Sequence, residues 1–233
     1  MNMNLIMKII MMNMGAKKLG LIVCLLLIGV FGVSQTETKG NFTFEGGSGL
    51  NGYRMQSSQG FGNSTGASWN ANGMVGYYFH NRVNVNLEYQ FHRYLLGEED
   101  STTISDANYI SSNRLGIGLR YDIVDKPGYR LSVGGTIGVF DFVSGFEDST
   151  STATIYATGI YQNYGLTNNF YFGEKKLFGL FVKLGIVNNP MTLKDVIINE
   201  EHQEVFQGQP LKNYKFNSIG FYLNIGLSLN IQK

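Results

Sequence analysis

Between positions 219 and 231 every odd residue is apolar, while no even residue between 218 and 230 is aliphatic. The odd set is Ile219, Phe221, Leu223, Ile225, Leu227, Leu229 and Ile231; the even set is Ser218, Gly220, Tyr222, Asn224, Gly226, Ser228 and Asn230. Successive side chains of a β-strand point to opposite faces, so the stretch reads as a strand with one greasy face and one small or polar face. The same alternation runs through VNVNLEYQFH, where Val83, Val85, Leu87, Tyr89 and Phe91 oppose Asn84, Asn86, Glu88, Gln90 and His92. It returns in RLGIGLRYDI, with Leu115, Ile117, Leu119, Tyr121 and Ile123 against Arg114, Gly116, Gly118, Arg120 and Asp122. Further strands are expected over 129–139 and 177–187, near 41–50 and 69–79, and over 153–172, where the pattern is least regular. That makes eight, and helical periodicity is nearly absent.

The connections alternate in length. Short ones lie at His80-Asn81-Arg82, at Asp125-Lys126-Pro127-Gly128 and at Gly173-Glu174-Lys175-Lys176; long ones are expected over 51–68, 96–109, 141–152 and 188–214. Short turns then share one end of the strands, together with both termini, and long loops share the other. Pro127, Pro190 and Pro210 all fall in connections on this reading, where a missing N–H costs no ladder bond.

Composition narrows the class. Charged residues are only 15% of the chain, against about 25% in an ordinary soluble domain, while glycine reaches 30 of 233 residues and aromatics 13%. Disordered chains are charge-rich and aromatic-poor, and the glycines lack the period of three of collagen. A net charge of +1 excludes a nucleic-acid binder that must neutralise phosphates.

The N-terminal part differs from the rest. Lys17 and Lys18 precede the apolar run LGLIVCLLLIGVFGV, and small residues Gly32 and Ser34 close it. A basic start, an apolar stretch and a small-residue exit form a secretory signal peptide, and the run is shorter than the about 20 residues that a spanning helix needs. Residues 1–34 are therefore expected to be a signal, cleaved after Ser34, and 35–233 a single exported domain. A start at Met14 would give a more compact signal. Cys24 leaves with it, so the mature chain has neither disulfides nor cysteine-based zinc chemistry.

Which face of the strands is inside decides the architecture. A soluble sandwich or barrel turns its apolar face inward and shows Lys, Glu, Thr and Arg to water. Here the polar face is rich in Gly, Ser and Asn, and the apolar face is almost uninterrupted. A transmembrane β-barrel has the reverse arrangement, with strands of about 9–11 residues, an even strand count, short turns on one side and long loops on the other. Closure into a barrel also gives every backbone group a partner in lipid. Phe79, Tyr121, Tyr129, Phe172 and Phe178 all lie on the apolar face beside short turns, where an interfacial aromatic girdle belongs.

With its signal peptide and eight alternating segments ending on YLNIGLSLNIQK, the chain resembles the small outer-membrane β-barrels of the OmpA/OmpX type, and in particular the outer membrane protein beta-barrel family of diderm bacteria. MVGYYFHNRVNVNLEYQF resembles that family's hairpin, in which an aromatic strand end meets a short polar turn. The resemblance implies an all-β, eight-stranded antiparallel up-and-down transmembrane barrel in the outer membrane, with lipid, the insertion machinery and an unnamed loop partner as its contacts. Two features depart from the pattern: the chain ends Ile231-Gln232-Lys233 instead of on an aromatic, and no peptidoglycan-binding domain follows the last strand.

Catalytic and metal-binding signals are weak, and no cofactor motif is present. His80 sits at a short turn and His202 in the acidic segment NEEHQE, both reading as solvated. His92 faces the lumen beside Gln90 and Tyr94, away from the outer face where the barrel lipases and deacylases, as families, keep a Ser–His pair. The runs Glu98-Glu99-Asp100 and Glu200, Glu201 and Glu204 match no calcium-loop spacing. The leading reading is a non-enzymatic barrel; a soluble periplasmic ligand-binding barrel, a lipid-modifying enzyme and a narrow channel are the competing ones. By parity Glu45, Glu88, Arg114, Arg120, Asp122, Arg130 and Lys183 point inward. Eight strands leave an interior that side chains just fill, so these charges are expected to pair, Glu88 with Arg120 and Asp122 with Arg130, and to plug the lumen.

Overall fold

A computed structural model describes residues 39–57, 64–95, 109–147, 152–173, 177–198 and 215–231. The signal-peptide segment 1–34 lies outside the described residues, as do His202 and both acidic runs. Eight strands follow one another in chain order: β1 Phe42–Ser57, β2 Ser64–His80, β3 Val83–Leu95, β4 Tyr109–Lys126, β5 Tyr129–Glu147, β6 Thr152–Phe172, β7 Phe178–Ile198 and β8 Lys215–Ile231. Each pairs antiparallel with the next, and β1 closes on β8 from Phe42 opposite Ile231 to Ser57 opposite Phe216. The result is a closed up-and-down barrel without an edge. No helix among the described residues is long and apolar enough to cross a membrane.

The alternation read from the sequence is realised as a polar inside and an apolar outside. Asn84, Asn86, Glu88, Gln90 and His92 are buried, while Val85, Leu87 and Tyr89 of the same strand are exposed. On β8, Ile225 is 54% exposed and its neighbour Asn224 is 2% exposed. The ten steps from Trp69 to Phe79 on β2 rise roughly 33 Å along the strand, or roughly 25 Å at a tilt of about 40°. That is the height of an outer-membrane apolar belt.

The strands run further than the alternation of apolar residues. Parts of the expected connections 51–68, 141–152 and 188–214 are strand, since β1 continues to Ser57, β5 to Glu147 and β7 to Ile198. The reason is a reversal of polarity. Past the apolar belt the outward positions become Arg54, Arg93, Asn113 and Asp141, whereas Tyr94, Phe142, Met191 and Leu193 turn inward and are buried. Above the belt the wall is built like that of a soluble barrel.

Two local irregularities also differ from the sequence reading. Pro190 belongs to β7 and not to a connection, and the β6–β7 ladder passes from Gly159–Met191 to Gln162–Asn188, skipping two pairs, one of them at the proline, which has no N–H to give. In β4 the register steps from Asp122–Ser132 to Val124–Leu131, leaving Ile123 as the extra residue of a bulge. At the adjoining turn Pro127 presets its own φ, and Gly128 takes φ +76°, a value that L side chains rarely adopt.

Candidate functional site

The lumen holds what chemistry the barrel has. Inward positions of β4 mark its axis, from Asp122 near the short turns through Arg120, Gly118, Gly116 and Arg114 to Ser112. All seven charged residues assigned inward by parity are buried.

At the short-turn end Arg130 has no exposed surface. Its Nε lies 3.2 Å from Asp122 Oδ2 and 3.2 Å from Asp125 Oδ1. Nη1 donates to the Tyr78 hydroxyl at 2.8 Å and to that of Tyr171 at 3.4 Å, and the guanidinium stands 4.8 Å from the centre of the Tyr78 ring. Ser132 donates to the other Asp122 oxygen at 2.7 Å. Asp125 was expected in the short connection, but β4 continues to Lys126, and the bulge at Ile123 shifts the alternation by one position and turns this carboxylate inward.

One storey higher, the expected Glu88–Arg120 pairing is replaced. Arg120 bonds Glu45 at 2.7 Å, and Lys183 bonds Glu88 at 2.5 Å. Register explains the exchange: Glu88 stands opposite Gly116 and Arg120 opposite Asn84, four residues apart along the wall. Glu88 meets Lys183 of β7 across the lumen, where no nearest-strand argument looks. It also accepts from Gln90 Nε2 at 2.8 Å and from Thr136 Oγ1 at 2.8 Å. A cavity of about 10 Å³ beside Arg120, Thr136, Asn163 and Lys183 is room for about one water.

A belt of amides follows. Asn51 Nδ2 lies 2.8 Å from His92 Nδ1, and His92 Nε2 lies 2.9 Å from Gln90 Oε1. Since Gln90 uses its amide nitrogen on Glu88, its oxygen must accept, which assigns the proton to Nε2 and leaves Nδ1 to accept from Asn51. Asn70 Nδ2 donates to Asn224 Oδ1 at 2.8 Å, linking β2 to β8. His92 is thereby committed to the network on both nitrogens. His80, in contrast, is exposed at the end of β2.

Toward the loop side the lumen changes character. Tyr94, Phe140, Phe142, Ala157, Tyr161 and Met191 form a buried cluster, with Tyr53, Met55, Ile110 and Phe216 packed against it and half-buried. A lumen polar throughout was the expectation, and its loop-side part is aromatic and apolar instead. The signal was present in the sequence as the inward parity of Tyr53, Tyr94, Phe140 and Phe142; Tyr94 was read as inward beside His92, but the other three stood beyond the strand ends that the apolar alternation marked.

Outside, Phe79, Phe172 and Phe178 are exposed and Tyr121 and Tyr129 half-buried, all beside the short turns. Phe172 and Phe178 stack at 5.9 Å between ring centres, and Phe42–Tyr77 and Tyr129–Phe170 pairs extend the row. A second row at the upper edge of the belt includes Trp69 and Phe91, edge to face at 6.3 Å. The sequence reading assigned the lower row alone.

No protein-family model and no curated protein matches the sequence. Solved structures do. Ail, the attachment invasion locus protein of Yersinia pestis, superposes with a TM-score of 0.50 at 15% identity, over 82% of this chain and 99% of that one. The outer membrane protein OprG from Pseudomonas aeruginosa gives 0.50 at 12% identity, over 86% of this chain and 100% of that one. The fold is that of the small eight-stranded outer-membrane barrels. At these identities the likeness is one of architecture, and it agrees with the closed ring of eight antiparallel strands described above.

Proposed function

We propose that the chain is a non-enzymatic integral protein of a bacterial outer membrane, exported through the 1–34 signal, with its specific role carried on the loop side. The observation that carries this reading is the reversal of ordinary polarity across the belt. Apolar side chains such as Ile117, Ile137, Leu223 and Ile225 are exposed on the outer surface, while Asp122 and Arg130 are fully buried inside. In water that arrangement would expose a large contiguous apolar surface, and lipid is the solvent that removes the cost. The soluble-barrel alternative needs the apolar face inside along the whole strand, whereas here it is inside only above the belt. Lipid and the insertion machinery are then the obligatory contacts, and a loop partner the specific one. Fractionation tests the reading: mature protein beginning at Gln35 is expected in outer membranes, resistant to carbonate and migrating anomalously on a gel when left unboiled. Recovery in the soluble periplasm would overturn it.

A further inference from the structure

The buried charges of the barrel do not balance. Among the described residues, the acids with buried side chains are Glu45, Glu88, Asp122 and Asp125. Five cations are buried with them: Arg82, Arg114, Arg120, Arg130 and Lys183. The interior therefore carries one positive charge in excess. Buried charge that lacks a counter-charge is costly, so a counterion is favoured wherever the interior has room for one.

That room lies in the middle storey. The cavity of about 10 Å³ is lined by Arg120, Thr136, Asn163, Thr167 and Lys183, and by Gly134 and Gly165, which pair with each other across β5 and β6. Glycine at 134 lets the Arg120 stem come down on the wall, where an added carbon would stand 2.9 Å from Arg120 Cγ. The sign of the lining decides the occupant. Two cations border the cavity and no carboxylate does. Arg120 gives Nη1 to Glu45 and Lys183 bonds Glu88, but a guanidinium and an ammonium each carry further N–H donors. Asn163 Oδ1 already accepts from the Thr136 N–H at 3.1 Å, which leaves that side chain its amide donors. We infer that the cavity binds one small halide ion, such as chloride, between Arg120 and Lys183. The Asn163 amide and the Thr167 hydroxyl are its further donors, and the space is too small for a polyatomic oxyanion. The ion supplies the missing negative charge and completes the closure of the middle storey.

Bromide is the probe, because it has the charge of chloride and is located by its anomalous scattering. Crystals of the purified barrel grown without halide are soaked in sodium bromide and measured at the bromine absorption edge. A peak inside the lumen between Arg120 and Lys183 is expected. In detergent at constant ionic strength, sodium bromide in place of sodium gluconate should raise the folded-to-unfolded ratio saturably, by about tenfold at about ten times Kd. Gluconate is too large for the cavity and serves as the control. Lys183→Met should abolish the peak. Thr167→Val, which keeps the shape and both ion pairs, stands in if that variant does not fold. It should weaken bromide about tenfold, as the loss of one hydrogen bond to a charged group implies. Anomalous density on the outer surface alone, an adventitious ion only, would overturn the proposal and leave a water in the cavity. A folded-to-unfolded ratio equal in bromide and gluconate would overturn it too. Fractionation is unaffected by any of these outcomes, so the membrane reading stands or falls separately.

Discussion

Glu88 is held by Lys183, Gln90 and Thr136, from β7, its own strand and β5. A carboxylate so enclosed tolerates neither neutralisation nor the loss of its cation. Glu88→Gln or Lys183→Met alone is expected to cost about 3–5 kcal/mol in reversible unfolding from lipid, and the double-mutant cycle should return strong coupling. A Glu88/Arg120 cycle should return much less, because Arg120 spends its Nη1 on Glu45. Equal coupling in the two cycles would mean that the lumen pairs are wrongly assigned. Ile225 gives the complementary test from outside, midway along the apolar face of β8. Ile225→Arg is expected to destabilise by about 2–4 kcal/mol, the cost of a cation near the bilayer midplane. Asn224→Ala, one residue before it, removes the acceptor of the Asn70 bond and should cost about 1–3 kcal/mol by a different cause, an orphaned buried amide.

Among the elements, β2, β4 and β7 carry departures from ideal strand geometry, and those of β7 and β4 can be tested. Pro190 leaves the β6–β7 ladder without two of its pairs, at Ile160 and Tyr161. Amide exchange there is expected to be faster than at Leu166 and Leu184, which face each other in unbroken register. Pro190→Val should restore protection at Ile160, and exchange rates indifferent to that substitution would exclude the proline as the cause. The bulge at Ile123 does positive work, since it delivers Asp125 to Arg130. Deleting Ile123, the extra residue, should close the ladder into one unbroken register and keep Asp125 opposite Arg130. Asp125→Asn, which takes one carboxylate from Arg130, should therefore cost more in reversible unfolding than the deletion, and an equal loss from the two would show that Asp125 needs the bulge itself to reach Arg130.

At the scale of the whole molecule, closure and filling go together. A ring of eight strands leaves just enough interior for side chains, and here each storey is bridged: Arg130 to β2, Glu45 to Arg120, Glu88 to Lys183, Asn70 to Asn224. Planar-bilayer recordings of the purified barrel are therefore expected to show no steady channel. Glu88→Ala with Lys183→Ala, which empties the middle storey, is the variant in which conductance steps should first appear. Discrete openings in the unaltered protein would show that the bridges do not seal the lumen.

The period of two, the glycine-rich polar face and the alternation of short and long connections determined by themselves that eight strands close into a barrel with its apolar face outward. This is local information: a strand's two faces are written in its own odd and even residues, and Ile219 to Ile231 spells them without reference to the rest of the chain. The inward placement of Glu88, Arg120 and Arg130 follows from the same parity. What the tertiary structure alone decided is who meets whom across the ring. Lys183 is 95 residues from Glu88 and four strands away, and only closure at a given register brings their tips together. Asp125 needed a bulge that no residue type announces. Phe140 and Phe142 were legible as inward-facing only once the strands were known to continue above the belt, because in that region polarity reverses. A sequence pattern carries the faces of a strand; the depth at which membrane gives way to water is a property of the assembled barrel.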